Sequence, residues 1–137
     1  MIRAVRPPLL SPLPLLGLLA VVAACGPGID REGTLQRLRA AIDTPIEDED
    51  DLHRHNALTR DVVDHGLLEG MTKRQLEEAI GEGRFCGANT MCSDHDFGPN
   101  DLIYDIGRSG GFRSGPILIV GFDRYGRVAS SYYLTRE

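Results

Sequence analysis

The sequence predicts an α+β fold in which two or three N-terminal helices pack on a three-stranded antiparallel meander. Three observations predict it. Helix-period apolar spacing is confined to residues 34–81, strand-like apolar runs to residues 102–134, and a tight Asp-x-x-Gly turn joins the last two runs. The chain has 137 residues, of which 42% are apolar and 26% charged, so it has room for one core and is neither disordered throughout nor a polytopic membrane protein. Fifteen Lys and Arg against 20 Asp and Glu give a net charge of −5, and the cations are scattered singly. Without a phosphate-neutralising stripe, nucleic acid is excluded as an expected partner.

Residues 1–24 read as a secretory signal. Arg3 and Arg6 form a cationic start, an apolar run follows from Leu13 to Ala24, and small residues precede Cys25. That run is too short for a bilayer core that needs about 20 apolar residues. Val22-Ala23-Ala24-Cys25 resembles the bacterial lipobox, in which the signal is cut before a cysteine that carries a diacylglyceryl thioether and an N-acyl chain. Cys25 is therefore the expected lipidation site. Several acyl chains hold a protein at a membrane where one binds only marginally. Position 26 is Gly rather than the Asp that retains enterobacterial lipoproteins at the inner membrane, and the resemblance implies an outer-membrane, periplasm-facing lipoprotein. Residues 25–33 are then the lipidated cysteine and a flexible tether, with a reach of roughly 15 Å, and residues 34–137 form the single domain.

Leu35, Leu38 and Ile42 at i, i+3 and i+7 predict a helix over 34–43, which Thr44-Pro45 ends. The acidic run Glu47 to Asp51 stands where a second helix would begin, and Leu52, Leu58, Val62, Val63 and His65 fall mainly on one side of it up to Gly66. Read this way, the acids mark a helix N-terminus first and a partner-facing patch second. Thr72 predicts the cap of a third helix, with Gln75 reaching back to complete a capping box, Met71 stapling onto Leu76, and Gly81 stopping the helix.

With Cys25 lipidated, Cys86 and Cys92 remain, five residues apart in a compartment that favours disulfides. A disulfide is the expected pairing. It would stiffen residues 82–100, which otherwise read as a long loop rich in Gly, Asn and Asp. A metal site of Cys86, Cys92 and His95 with one further histidine is the competing reading, but C-x5-C-x2-H is not a recurrent zinc spacing. No metal and no cofactor is expected.

Residues 102–106 and 117–122 read as strands, the glycine-rich stretch 107–115 as their connection, and 127–134 as the returning strand. Asp123-Arg124-Tyr125-Gly126 makes the turn before it. Strict alternation along the last strand would put Val128, Ser130, Tyr132 and Leu134 on one face and Ala129, Ser131 and Tyr133 on the other.

The lipobox, the short linker, G-M-T-x3-L-x3-I-G at Gly70, Met71, Thr72, Leu76, Ile80 and Gly81, the strand tyrosine Tyr104, and F-D-x-x-G-x-V at Phe122, Asp123, Gly126 and Val128 occur in this order. Together they resemble the BamE/SmpA-type small outer-membrane lipoproteins over about residues 66–134. That resemblance implies two helices on a three-stranded antiparallel sheet, a fold shared with β-lactamase inhibitor protein, and an accessory role in inserting outer-membrane barrels. Trp commonly stands two residues before the strand tyrosine in that family, and here the position is Leu102.

No Ser, Cys or His lies in a nucleophile elbow, a zincin motif or a phosphate loop, so no catalytic residue is assigned. The expectation is a non-catalytic module, joined to the membrane by its lipid anchor, that binds an envelope protein through the sheet face or the 107–115 connection. Tyr104, Arg108, Arg113 and Tyr133 are the candidate contact residues. The alternative is an inhibitor or ligand-binding lipoprotein acting on a secreted enzyme.

Overall fold

A computed structural model describes residues 28–107 and 114–135. The expected signal sequence over 1–24, the expected lipidation site Cys25, and Arg108 and Arg113 lie outside the described residues. The chain forms an α+β fold in which helices pack on a four-stranded antiparallel sheet.

Helix α1, Arg31–Asp43, starts three residues before the expected point because the Asp30 side chain accepts a hydrogen bond from Gly33 N at 3.1 Å. Apolar periodicity begins only at Leu35, so it misses a first turn set by a cap. Helix α2, Glu49–Asp64, is capped by Asp48, and Glu49, Asp50 and Asp51 occupy its first turn, where the helix dipole favours negative charge. Its buried stripe is Leu52, His55, Thr59 and Val62. His55 ties the two helices together, with Nδ1 2.7 Å from the Asp51 carbonyl and Nε2 3.1 Å from the Ala41 carbonyl. Helix α3, Lys73–Ile80, has the full capping box: Gln75 N donates to Thr72 Oγ1 at 3.2 Å and Thr72 N to Gln75 Oε1 at 2.9 Å.

Residues 82–100 are not a structureless loop. They contribute an edge strand β1, Arg84–Phe85, and a one-turn helix α4, Thr90–Ser93, before β2, Leu102–Asp105. Strands β3, Ile117–Phe122, and β4, Val128–Leu134, complete the order β1-β2-β3-β4, one strand more than expected. Two residues are too few to show an alternation, so β1 left no periodic signal. Its pairing is carried onward by Cys86 N donating to Asp101 O at 2.8 Å and Gly87 N to Pro99 O at 2.9 Å. Asp101 then holds this segment to β3, accepting from Gly98 N at 2.7 Å and Phe122 N at 3.0 Å.

The two central strands, β2 and β3, are buried on both faces. Leu102, Tyr104, Leu118, Val120 and Val128 meet Leu35, Leu38, Val62, Leu68, Leu76 and Ile80 of the helical layer. Ile103, Ile117 and Ile119 face the other way, against Cys86, Cys92, Met91 and Phe97. That second face explains why β3 reads as a continuous apolar run rather than an alternating one.

A register shift at Gly121/Phe122 breaks the alternation expected for β4. Val128 pairs with Phe122 but Ser130 with Gly121, so Ala129 is the extra residue of a bulge. Val128 thereby joins the helix-side core, whereas Tyr132 and Leu134, opposite Ile119 and Ile117, lie on the far face. Gly126 in the preceding turn has φ 73°, the left-handed backbone such a tight turn needs.

Tyr104 is not a surface contact residue. It is 3% exposed on the helix side, and its hydroxyl donates to the Gly81 carbonyl at 3.0 Å. Burial, with the carboxylates of Glu77 and Glu82 adding to it, pushes this phenol well above its ordinary pKa of 10.0. A raised folded pKa means the stabilisation is complete below the unfolded value near 10 and fades as pH climbs above it. Tyr104→Phe is therefore expected to cost about 1 kcal/mol at pH 7 and to flatten the loss of stability above pH 10. Denaturant melts of both proteins at pH 8, 10 and 11 measure the difference; equal slopes would contradict the assignment.

Candidate functional site

The face of the sheet away from the long helices is covered over β2 and β3 by the 86–97 segment, which takes it out of the expected binding surface. Cys86 and Cys92 form a disulfide with Cα atoms 6.0 Å apart, and both residues are buried in the second core. Such a short ring restrains little chain entropy, about 2 kcal/mol in the loop-closure model, so its effect is local: it folds α4 back over β2 and β3. Tyr133, a candidate contact residue, lies opposite Leu118 on the helix side and is half-buried. Its neighbour Tyr132 is the exposed one, and its ring stacks on His95 with centroids 4.3 Å apart.

A solvent-open groove runs between α1 and α3. It consists of two adjoining depressions of about 570 and 520 Å³ that share Arg31, Met71, Glu78 and Ala79. Arg31, Leu35 and Arg39 reach it from one side of α1 because they are spaced by four residues. Arg127 comes from the residue just before β4, held beside Thr72 by an isolated antiparallel bridge.

Each arginine is positioned by a backbone carbonyl. Arg31 Nε donates to Leu67 O at 2.8 Å, Arg127 Nη1 to Gly70 O at 2.9 Å, and Arg39 Nη1 to Glu78 O at 2.6 Å. A guanidinium has five N–H donors in a planar fork, so each keeps donors to spare. Among the described residues, none of the three has a carboxylate within 4.0 Å. Glu32, Glu69 and Glu78 also line the groove, and the Glu78 carboxylate accepts from Arg74 Nε at 3.0 Å. Met71, Ala79 and Leu35 supply apolar surface between the charges. The arrangement can hold a carboxylate between guanidiniums while an aliphatic side chain covers the apolar surface.

Other chemistry has less to stand on. Among the described residues no hydroxyl or thiol hydrogen-bonds to a histidine ring, Thr59 Oγ1 donating instead to the His55 main-chain carbonyl at 2.8 Å, and no three His, Cys, Asp or Glu side chains are placed to share a metal ion. His65 Nδ1 lies 2.9 Å from Asp61 O and His53 3.7 Å from the Glu49 carboxylate, both at the surface. No described helix is long and apolar enough to cross a membrane.

The groove escaped sequence reasoning because Arg127 stands far along the chain from Arg31 and Arg39. The four-residue spacing of Arg31, Leu35 and Arg39 was its one legible trace. Compared with protein-family models, curated proteins and solved structures, the chain matches none.

Proposed function

We propose that this protein is a non-catalytic lipoprotein of the cell envelope, held by acyl chains on Cys25 at the outer membrane. On this reading its domain is of the BamE/SmpA type and binds a protein partner in the α1–α3 groove. The observation that carries the partner role is the set of three guanidiniums, each aimed by a backbone carbonyl and none matched to an acid among the described residues. A structural arginine is ordinarily matched to a carboxylate, so a cluster left with free donors over apolar surface suits a ligand that brings its own. The fitting partner is a protein segment with an acidic side chain next to an aliphatic one. The lipobox at 22–25 and the motif order over 66–134 support the anchoring and the family reading.

The test is affinity purification of the tagged protein from crosslinked envelopes, beside Cys25→Ser and Arg31→Glu/Arg127→Glu. Cys25→Ser is expected to leave the membrane fraction entirely and to lose the envelope partner; continued membrane fractionation would remove the lipoprotein reading. The double charge reversal should stay in the membrane but recover at least tenfold less partner, the loss expected for one or two charged contacts of about 1.5–3 kcal/mol each. Full recovery would dismiss the groove. A soluble exported enzyme recovered equally with wild type and Cys25→Ser would favour an inhibitor over an accessory subunit.

A further inference from the structure

We infer that the outer edge of β4 pairs with β4 of a second copy of this chain, antiparallel about a two-fold axis, joining two four-stranded sheets into one. The edge is already used as a strand acceptor where it begins. Gly70 N donates to Val128 O at 2.8 Å and Val128 N to Met71 O at 2.7 Å, so the outward main-chain groups of Val128 are satisfied by the 70–72 segment. There the cover ends. Among the described residues, no backbone group from Ala129 to Leu134 hydrogen-bonds outside the sheet. In an antiparallel strand the main-chain groups point alternately to either side, so this stretch presents an unpaired row of N–H and C=O.

The two edges of the sheet are treated differently. β1 is two residues long, and its Arg84 forms an ion pair with Asp105, which together make a short, charged edge that resists addition. β4 is seven residues long, and Val128-Ala129-Ser130-Ser131-Tyr132-Tyr133-Leu134 has no charge and no proline. Its one bulge lies at Ala129, before the regular stretch, so the usual protections are missing where the edge is longest.

The choice of occupant follows from charge. The chain is acidic overall, and copies repel except where they meet along an uncharged stripe; antiparallel self-pairing sets Ser, Tyr and Leu against one another with no like charges opposite. Pairing centred on Tyr132 brings the two exposed Tyr132 rings together on the far face and sets Ser131 opposite Tyr133. Tyr132 is 39% exposed and steadied by its stack on His95, so little side-chain entropy remains to be lost when it becomes an interface residue. A two-fold pairing is also closed, which leaves no further free edge except the two guarded β1 strands.

The full lipidated protein in excess detergent, sized by light scattering, tests this together with Ser131→Lys, and Ser131→Thr serves as the conservative control. Wild type and Ser131→Thr are expected at twice the chain mass, and Ser131→Lys at the monomer mass because it sets two like charges on one face as diagonal neighbours across the two-fold, about 7–8 Å apart. In intact envelopes, oxidative crosslinking of Tyr132→Cys should give a homodimer, whereas Arg124→Cys on the hairpin turn should not. A monomeric wild type, a dimer that survives Ser131→Lys, or a Tyr132→Cys crosslink only to a different protein would each overturn the inference.

Discussion

Leu118→Ala and Ile119→Ala are expected to destabilise the protein by about 2–5 kcal/mol each, as large-to-small changes in a packed core do, while loosening opposite sides of it. The two residues are neighbours on β3 and both are fully buried, yet they belong to different cores. Leu118 packs under α1, α2 and α3. Ile119 packs against the disulfide, Met91 and Phe97. Removing Leu118 should therefore raise amide exchange in the helices, and removing Ile119 should raise it in 86–97 first. With a total stability on the order of 5–15 kcal/mol, either loss is a large share of the whole and is readable in a denaturant melt. Hydrogen exchange mapped by mass spectrometry separates the two cases. If Ile119→Ala loosened the helices as much as the 86–97 segment, the description of two cores divided by the sheet would be wrong.

Gly115→Ala is the second large effect. A Cβ at this position would lie 1.7 Å from the Ile106 carbonyl oxygen and 2.7 Å from Ile46 Cδ1. Ile46 could turn away, but Ile106 is held by its own N–H donating to Pro116 O at 2.9 Å, so the strand ends themselves must part. The expected cost is about 3 kcal/mol, the upper end of ordinary overpacking, and a fall in Tm of roughly 4 °C for each kcal/mol. Gly98→Ala is the control, since its Cβ would meet nothing nearer than Asp101 Oδ2 at 3.7 Å and should leave Tm within a degree or two of wild type. Equal melting of the two variants would mean that the 106–115 approach is looser than the structure describes.

Where a signal is local, sequence reading reached the right element. The capping box at Thr72 and Gln75 depends on residues three apart, and β3 matches its expected span of 117–122 because its ends are marked by Pro116 and Asp123. The apolar period over 34–43 does not reach the first turn of α1, which the Asp30 cap sets. The site is less legible in the sequence. Tyr104 was a reasonable surface candidate on a strand, but which face a strand tyrosine takes, and how deep, depends on what packs there, and here Gly81 receives its hydroxyl. Arg108 and Arg113 lie outside the described residues, and the arginine groove appeared only when α1, α3 and the hairpin came together.

By itself the sequence determined the spans of the three longer helices to within a turn, the three longer strands, the hairpin and the pair of cysteines available for bonding, because caps, periods and turns are written within a few residues of one another. Tertiary structure alone decided the fourth strand, the second core, the bulge that moves Val128 to the helix side, and the meeting of Arg31, Arg39 and Arg127. The physical reason is that each of these is a balance between parts distant in sequence. Two residues of β1 hold only because Asp101 and the disulfide bring 86–101 back to the sheet, and a bulge is tolerated at Ala129 only because Gly70 and Met71 take the hydrogen bonds of Val128.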